Sequence, residues 1–206
     1  MSNFKIFYGP MFSEKSGDMI SEAVKLSLYA KKKVIAFKPC IDTRSDMQIK
    51  SRTGVSLSAF ALTTDASELL TEYFEKETLG GVNLSDTDII LFDEIQFYSK
   101  EIVILIKKLL RNGYNVMAAG LNLDYRGKPI GSVQELVLFA DEVVKKTAYC
   151  SVCGAKAHYT QRMVDGKPYI QECDNMVCIG DKESYEPRCL CHFKSPKLNI
   201  SRKTTE

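Results

Sequence analysis

Phe4-Lys-Ile-Phe-Tyr8 is a short, mostly apolar run that stops at Gly9-Pro10, and Lys15-Ser16 soon opens a stretch of helical periodicity. A buried strand, a tight turn and a helix start in immediate succession are the opening of a parallel α/β sheet. Met19, Ile20, Ala23, Val24 and Leu28 recur at helical spacing between Ser16 and about Ala30, with Lys31, Lys32 and Lys33 at the end that favours cations. The junction itself, Gly9-Pro-Met-Phe-Ser-Glu14-Lys15-Ser16, has the spacing and setting of a Walker A phosphate loop. There the backbone N–H groups and the positive end of the helix hold phosphate oxygens, Lys15 reaches the β- and γ-phosphates, and the Ser16 hydroxyl binds Mg²⁺. One position departs from the pattern. Glu14 stands where glycine is expected, at a point that demands unusual backbone angles and a close approach of phosphate.

The same alternation continues along the chain. Residues 34–37 read as a strand, and Asp65-Ala-Ser-Glu68 has capping-box form and opens a helix through about Lys76. Asp88-Ile-Ile-Leu-Phe92 is an apolar strand; Ser99 is expected to cap a helix carrying Ile102, Leu105, Ile106, Leu109 and Leu110 that Gly113 stops; residues 116–120 form another buried strand. Strands alternating with helices predict a parallel sheet covered on both faces. After about Tyr149 the chain turns to Cys, Gly and short β segments, which places a domain boundary there. The expected organisation is an α/β domain over 1–148, a small module over 149–194 and a basic tail over 195–206. The net charge of +2 lacks the clustered basic bias of a nucleic-acid binder. No apolar stretch approaches the roughly 20 residues that span a bilayer, and Met1 leads directly into a strand, so no membrane contact, no secretory leader and a cytoplasmic address are expected.

A second acidic signal sits where the phosphate loop needs one. Asp93-Glu94-Ile-Gln96-Phe97 follows the strand ending at Phe92, the place of a Walker B acid. Asp93 is positioned to hold Mg²⁺ through water, and Glu94 to act as general base. Phosphoryl transfer requires mainly positioning and charge neutralisation, so these parts suffice.

Six of the seven cysteines fall between Cys150 and Cys191. In a chain with no expected secretory leader this clustering reads as a metal site rather than a disulfide framework. Cys150-Ser-Val-Cys153 is a CxxC knuckle, and Cys189-Leu-Cys191-His192 offers a second cluster in which either Cys191 or His192 completes a tetrahedral zinc set. Cys173 and Cys178 flank a hairpin and are read as free thiols. With four protein ligands the zinc is structural and takes no part in the chemistry.

Taken together, the motifs resemble the cytosolic, zinc-containing thymidine kinases over nearly the whole chain. The likeness rests on the loop 9–16 apart from Glu14, on Asp93-Glu-Ile-Gln-Phe97, on Lys38-Pro-Cys-Ile-Asp42-Thr-Arg44 and on Leu121-Asn-Leu-Asp-Tyr125-Arg-Gly-Lys128-Pro-Ile-Gly131. It implies a P-loop NTPase-like parallel sheet flanked by helices with a small C-terminal zinc-binding lid, and transfer of the γ-phosphate of ATP to the thymidine 5′-hydroxyl. By resemblance Glu94 is the base, Arg44 stabilises the transferred phosphoryl group beside Lys15, and Asp42 and Gln96 join Gly9, Pro10, Met11, Phe12, Ser13, Glu14, Ser16 and Asp93 in holding Mg²⁺·ATP. Met11, Phe97, Leu121 and Tyr125 surround the pyrimidine, with Thr160, Ile179 and Gly180 of the lid near the base and Tyr185 near the sugar. The pattern counted from Tyr185 selects Cys189 and His192 as zinc ligands, leaving Cys191 as the alternative. The family's homotetramer is expected too. Two other readings stay open: a nucleotide-binding or regulatory subunit disabled by Glu14, and a zinc module that touches nucleic acid through Lys194, Lys197, Arg202 and Lys203. Against the latter, the tail is short and has only Phe193 for stacking.

Overall fold

The computed structural model describes residues 2–42, 47–170 and 183–195. Arg44, Cys173, Cys178, Ile179, Gly180 and the tail beyond Ser195 lie outside the described residues. The chain forms two compact units: Met1–Tyr8, Glu14–Asn122 and Ile130–Lys146 make up the first, and Gly9–Ser13, Leu123–Pro129 and Thr147–Glu206 the second.

The first unit runs β1 (Phe4–Gly9), α1 (Lys15–Ala30), β2 (Val34–Pro39), a hairpin of β3 (Gln48–Lys50) and β4 (Ser56–Ser58), β5 (Phe60–Leu62) and α2 (Ala66–Lys76). A second small hairpin, β6 (Thr78–Leu79) and β7 (Val82–Asn83), leads to β8 (Ile89–Phe92), a 3-10 turn Ile95–Phe97, α3 (Ile102–Arg111), β9 (Asn115–Leu121), α4 (Val133–Phe139) and β10 (Glu142–Lys145). The central sheet has six parallel strands in the order β10-β1-β9-β8-β2-β5.

Both faces of this sheet are buried, and the side chains sort by alternation as strand geometry requires. Phe4, Ile6, Phe37, Ile90, Phe92, Val116 and Ala118 join one core with Leu69 and Tyr73 of α2, Leu105, Ile106 and Leu109 of α3, and Leu136 of α4. Phe7, Ala36, Ile89, Leu91, Met117 and Ala119 face the other way, onto Met19, Ile20 and Ala23 of α1 and Ile49 of β3. The apolar spacing of the sequence therefore lands on the predicted face for α3 and for Met19, Ile20, Ala23 and Val24 of α1, whereas Leu28, in the last turn of α1, lies beyond the sheet's cover and is exposed.

Local signals were redirected in two places. Asp65 caps α2 by accepting the Ser67 N–H at 2.9 Å, but its own N–H goes to Thr63 Oγ1, so the reciprocal half of the expected capping box is taken by a neighbour other than Glu68. Ser99 does not cap α3, whose N-cap is Glu101; its hydroxyl accepts the Ala66 N–H and donates to Glu101, tying the start of α2 to that of α3. The lysines after α1 work on the sheet: Lys32 Nζ and the Lys33 N–H both reach Asp88, at 2.9 and 2.8 Å, at the edge of β8. Helix α4 and strand β10 carry no strong periodicity, and the exposed charges of β10 suit an edge strand.

The second unit pairs β11 (Ala148–Tyr149) with β12 (Lys156–Ala157), and sets β13 (Tyr159–Val164) between β14 (Lys167–Pro168) and β15 (Glu183–Arg188), all antiparallel. Asp124 is buried and closes Leu123–Pro129 by accepting the N–H groups of Arg126 and Lys128 and the Arg126 guanidinium. Phe193 stacks on Tyr159 at 4.5 Å, while Ser195 Oγ donates to the Arg126 carbonyl. Gly127 has φ of +78°, and a Cβ there would stand 3.2 Å from the Phe193 ring. Among the described residues no helix is long and apolar enough to cross a membrane.

Leu105 is fully buried and Leu138 is 82% exposed. Leu105→Ala is expected to lower unfolding free energy by about 2–5 kcal/mol and Leu138→Ala by less than about 0.5 kcal/mol, read by chemical denaturation.

Candidate functional site

In the first unit, Glu14 immediately precedes α1 with a left-handed backbone, φ 56° and ψ 33°. That conformation comes freely to glycine and costs a residue with a Cβ about 1–2 kcal/mol. The backbone turn that the motif asks of glycine is therefore made by glutamate. The Glu14 carboxylate accepts a hydrogen bond from Thr53 Oγ1 at 3.1 Å. Lys15 is buried as the first residue of α1. Ser16 Oγ donates to Asp93 Oδ1 at 2.7 Å, so the helix start and the end of β8 meet through a hydroxyl and a carboxylate. These are hard oxygen donors of the kind Mg²⁺ selects. Asp93 is itself buried, with its N–H on the Phe37 carbonyl at 2.9 Å, which continues the parallel ladder one residue past the strand. Asp42 is half-buried just beyond β2, its N–H on the Pro39 carbonyl.

Glu94 begins the 3-10 turn in a left-handed conformation, φ 47°. Its carboxylate accepts from Gln96 Nε2 at 2.6 Å, and Gln96 Oε1 in turn accepts the Leu121 N–H at 3.0 Å. The backbone donor from β9 fixes which end of the amide faces Glu94, and so holds that carboxylate as an acceptor. Two glycines keep this arrangement open. A Cβ on Gly120 would stand 3.2 Å from Gln96 Oε1, and one on Gly131, at φ +54°, would strike the Gln96 carbonyl at 2.4 Å. Gln96 thus links the Glu94 carboxylate to the end of β9. Phe97 and Leu121 are half-buried on either side of this network in the chain.

In the second unit the Thr160 hydroxyl accepts the Met11 N–H at 3.0 Å, and Ser13 Oγ donates to the Pro10 carbonyl at 2.8 Å. Tyr125 is buried edge-on to Tyr169, and the Arg162 guanidinium lies 5.2 Å from the Tyr125 ring centre and 4.4 Å from that of Tyr169. Tyr185 pairs with Arg162 across β13 and β15. Thr160 and Tyr125 are therefore parts of two buried clusters, and Arg162 and Tyr169 belong with Tyr125 although nothing in their spacing marked them out.

Cys150, Cys153, Cys189 and His192 bring their ligand atoms within 4.8 Å of one another. Cys153 and Cys189 sulfurs are 3.8 Å apart, and His192 Nδ1 is 3.3 Å from Cys189 and 3.7 Å from Cys150. A tetrahedron of zinc–sulfur bonds of about 2.3 Å has edges of roughly 3.8 Å, so the cluster fits a zinc ion. Burial works against ionisation of Cys150, but backbone N–H groups of Cys189, Val152 and Cys153 and the Cys189 thiol outweigh it and bring the Cys150 thiol down to about 6. The site is thus ready to present a thiolate. Cys191 is exposed and is not among the four.

The model of the thymidine kinase family matches residues 2–193. The chain belongs to the thymidine kinase family. Membership makes it a nucleotide-binding phosphotransferase. The thymidine kinase match also spans Glu14, so the substituted loop lies within the matched residues.

Metal analysis of the purified protein is expected to find about one zinc per chain, lost in Cys189→Ala and kept in Cys191→Ala. Gln96→Leu, which leaves the Leu121 N–H and the Glu94 carboxylate without their shared partner, is expected to lower thymidine kinase kcat by about tenfold or more with little change in ATP KM.

Proposed function

We propose that the protein transfers the γ-phosphate of ATP to the 5′-hydroxyl of thymidine. The observation that carries this reading is the 2.7 Å bond between Ser16 and Asp93, with Glu94 one residue further on and held by Gln96. In this reading Ser16 and Asp93 hold the magnesium ion, with Asp42 assisting; the ion, when bound, neutralises charge on the β- and γ-phosphate oxygens. Lys15 steadies the transferred group together with Arg44, which is carried over by resemblance alone. Glu94 accepts the proton of the 5′-hydroxyl as that oxygen attacks, with Gln96 keeping its carboxylate oriented. Met11, Phe97, Leu121, Tyr125, Thr160, Ile179, Gly180 and Tyr185 are the proposed surroundings of the nucleoside. A homotetramer and a cytoplasmic address belong to the same proposal, through the family.

The rival reading, a regulatory subunit disabled by Glu14, loses support from the backbone of that residue, which has the left-handed turn the loop requires. A nucleic-acid role has no comparable support. Incubated with Mg²⁺, ATP and thymidine, the protein is expected to form thymidine monophosphate, and Lys15→Ala and Glu94→Gln are each expected to lower kcat/KM by about 10²-fold or more. An inactive wild type that gains turnover through Glu14→Gly hands the case to the regulatory reading.

A further inference from the structure

Three features around Glu14 lie outside the roles assigned so far. The first is a directed chain of hydrogen bonds in the turn 51–55. The Val55 N–H donates to Ser51 Oγ at 3.1 Å, Ser51 Oγ pairs with Thr53 Oγ1 at 2.9 Å, and Thr53 Oγ1 donates to Glu14 Oε2 at 3.1 Å. A hydroxyl has one proton, and that of Thr53 goes to the carboxylate, so Ser51 must be the donor to Thr53. Every donor in the chain therefore points toward the Glu14 charge, an alignment in which each bond polarises the next.

The second feature is Gly17, buried inside the first turn of α1. Glycine inside a helix is less favourable than alanine by about 1 kcal/mol, so its presence asks for a reason. A Cβ there would stand 2.8 Å from Glu14 Oε2 and 3.2 Å from Ser51 Cβ. The missing side chain is the space into which the carboxylate folds. The third is the turn itself, closed by Ser51 N–H on the Val55 carbonyl and Gly54 N–H on the Ser51 carbonyl, with Gly54 at φ +93°. It presents Thr53 at the start of the helix.

We propose that Gly17 and the turn 51–55 form a latch that draws the Glu14 carboxylate along the flank of α1 and away from bound phosphate, which makes Thr53 a positioning residue for nucleotide binding. The proposal rests on the reading of residues 9–16 as the ATP phosphate loop. Glutamate at this position keeps the turn but adds a charge of the same sign as the ligand. The latch removes that charge from the ligand's path, and it does so only while the hairpin of β3 and β4 is docked.

The test is a double-mutant cycle on Thr53 and Glu14, with Mg²⁺·ATP affinity and ATP KM as readouts and backbone amide exchange in the nucleotide-free protein as a second measurement. Thr53→Val is expected to weaken ATP binding by roughly fivefold to tenfold, the equivalent of one released charged hydrogen-bond acceptor, with kcat at saturating ATP unchanged. Thr53→Ser is expected to bind as wild type. In a Glu14→Gln background, where the freed group is neutral, Thr53→Val should leave ATP affinity unaltered. Amides of Ser51, Gly54 and Val55 should exchange faster in Thr53→Val. ATP binding that ignores Thr53, or an equal loss in both backgrounds, overturns the proposal while the phosphate-loop reading survives; unchanged exchange overturns the latch itself. If none of these proteins binds ATP, the phosphate-loop reading falls and takes the proposal with it.

Discussion

Strand β8 has no face to give to water. Ile89 and Leu91 pack toward α1, Ile90 and Phe92 toward α2 and α3, and its neighbours β2 and β9 are buried in the same way. A strand placed like this holds no polar side chain along its length, so the polar chemistry of the first unit is confined to the ends of the strands. That is where it is found: Asp93 is the residue after Phe92, Gln96 takes its fixed donor from Leu121 at the end of β9, and Asp42 follows β2. The bond from Ser16 to Asp93 then joins the helix that covers one face to the strand at the centre. The position of these polar groups is a consequence of double burial, since the first residues free to be charged are those just beyond it.

Much of this was legible in the residues. Apolar runs at 34–37, 88–92 and 116–120 read directly as central parallel strands, and four of the five apolar positions of α1 needed no tertiary information to be assigned a face; Leu28, near the helix end, is exposed. The zinc cluster was equally readable, because chelating side chains at short spacing are placed by a turn and little else. Where reading failed, the deciding partner was distant in sequence. Ser99 has the composition of a cap, yet its hydroxyl serves Ala66, thirty-three positions upstream. Glu68 completes a capping box on paper, but Thr63 is nearer to the N–H in question. Which way the Gln96 amide is turned is likewise set by a distant group, the Leu121 N–H.

Glu14 illustrates the difference most sharply. As a letter in a motif it is a defect, because glycine is the residue that tolerates both the backbone angle and the ligand. The structure separates those two demands. The angle is met at a local energetic cost within the loop, and the charge is met elsewhere, by Thr53 and by the space over Gly17. Neither compensating residue carries a signature of its own, since a threonine in a turn and a glycine in a helix are ordinary until the carboxylate between them is located.

The zinc cluster has a bearing on supply as well as on shape. Ala148, Cys150, Ala157 and Cys189 make up the apolar cluster at this site, so two of its four members are themselves ligands. So small a core contributes little on its own, and metal that binds the folded arrangement in preference to the unfolded chain adds stability by mass action, in proportion to the logarithm of free zinc over its dissociation constant. The second unit also contains Met11 and Thr160. With zinc held there, its folded population, and with it the working concentration of the enzyme, would be coupled to the zinc activity of its surroundings: a shortage of metal would act as a shortage of protein.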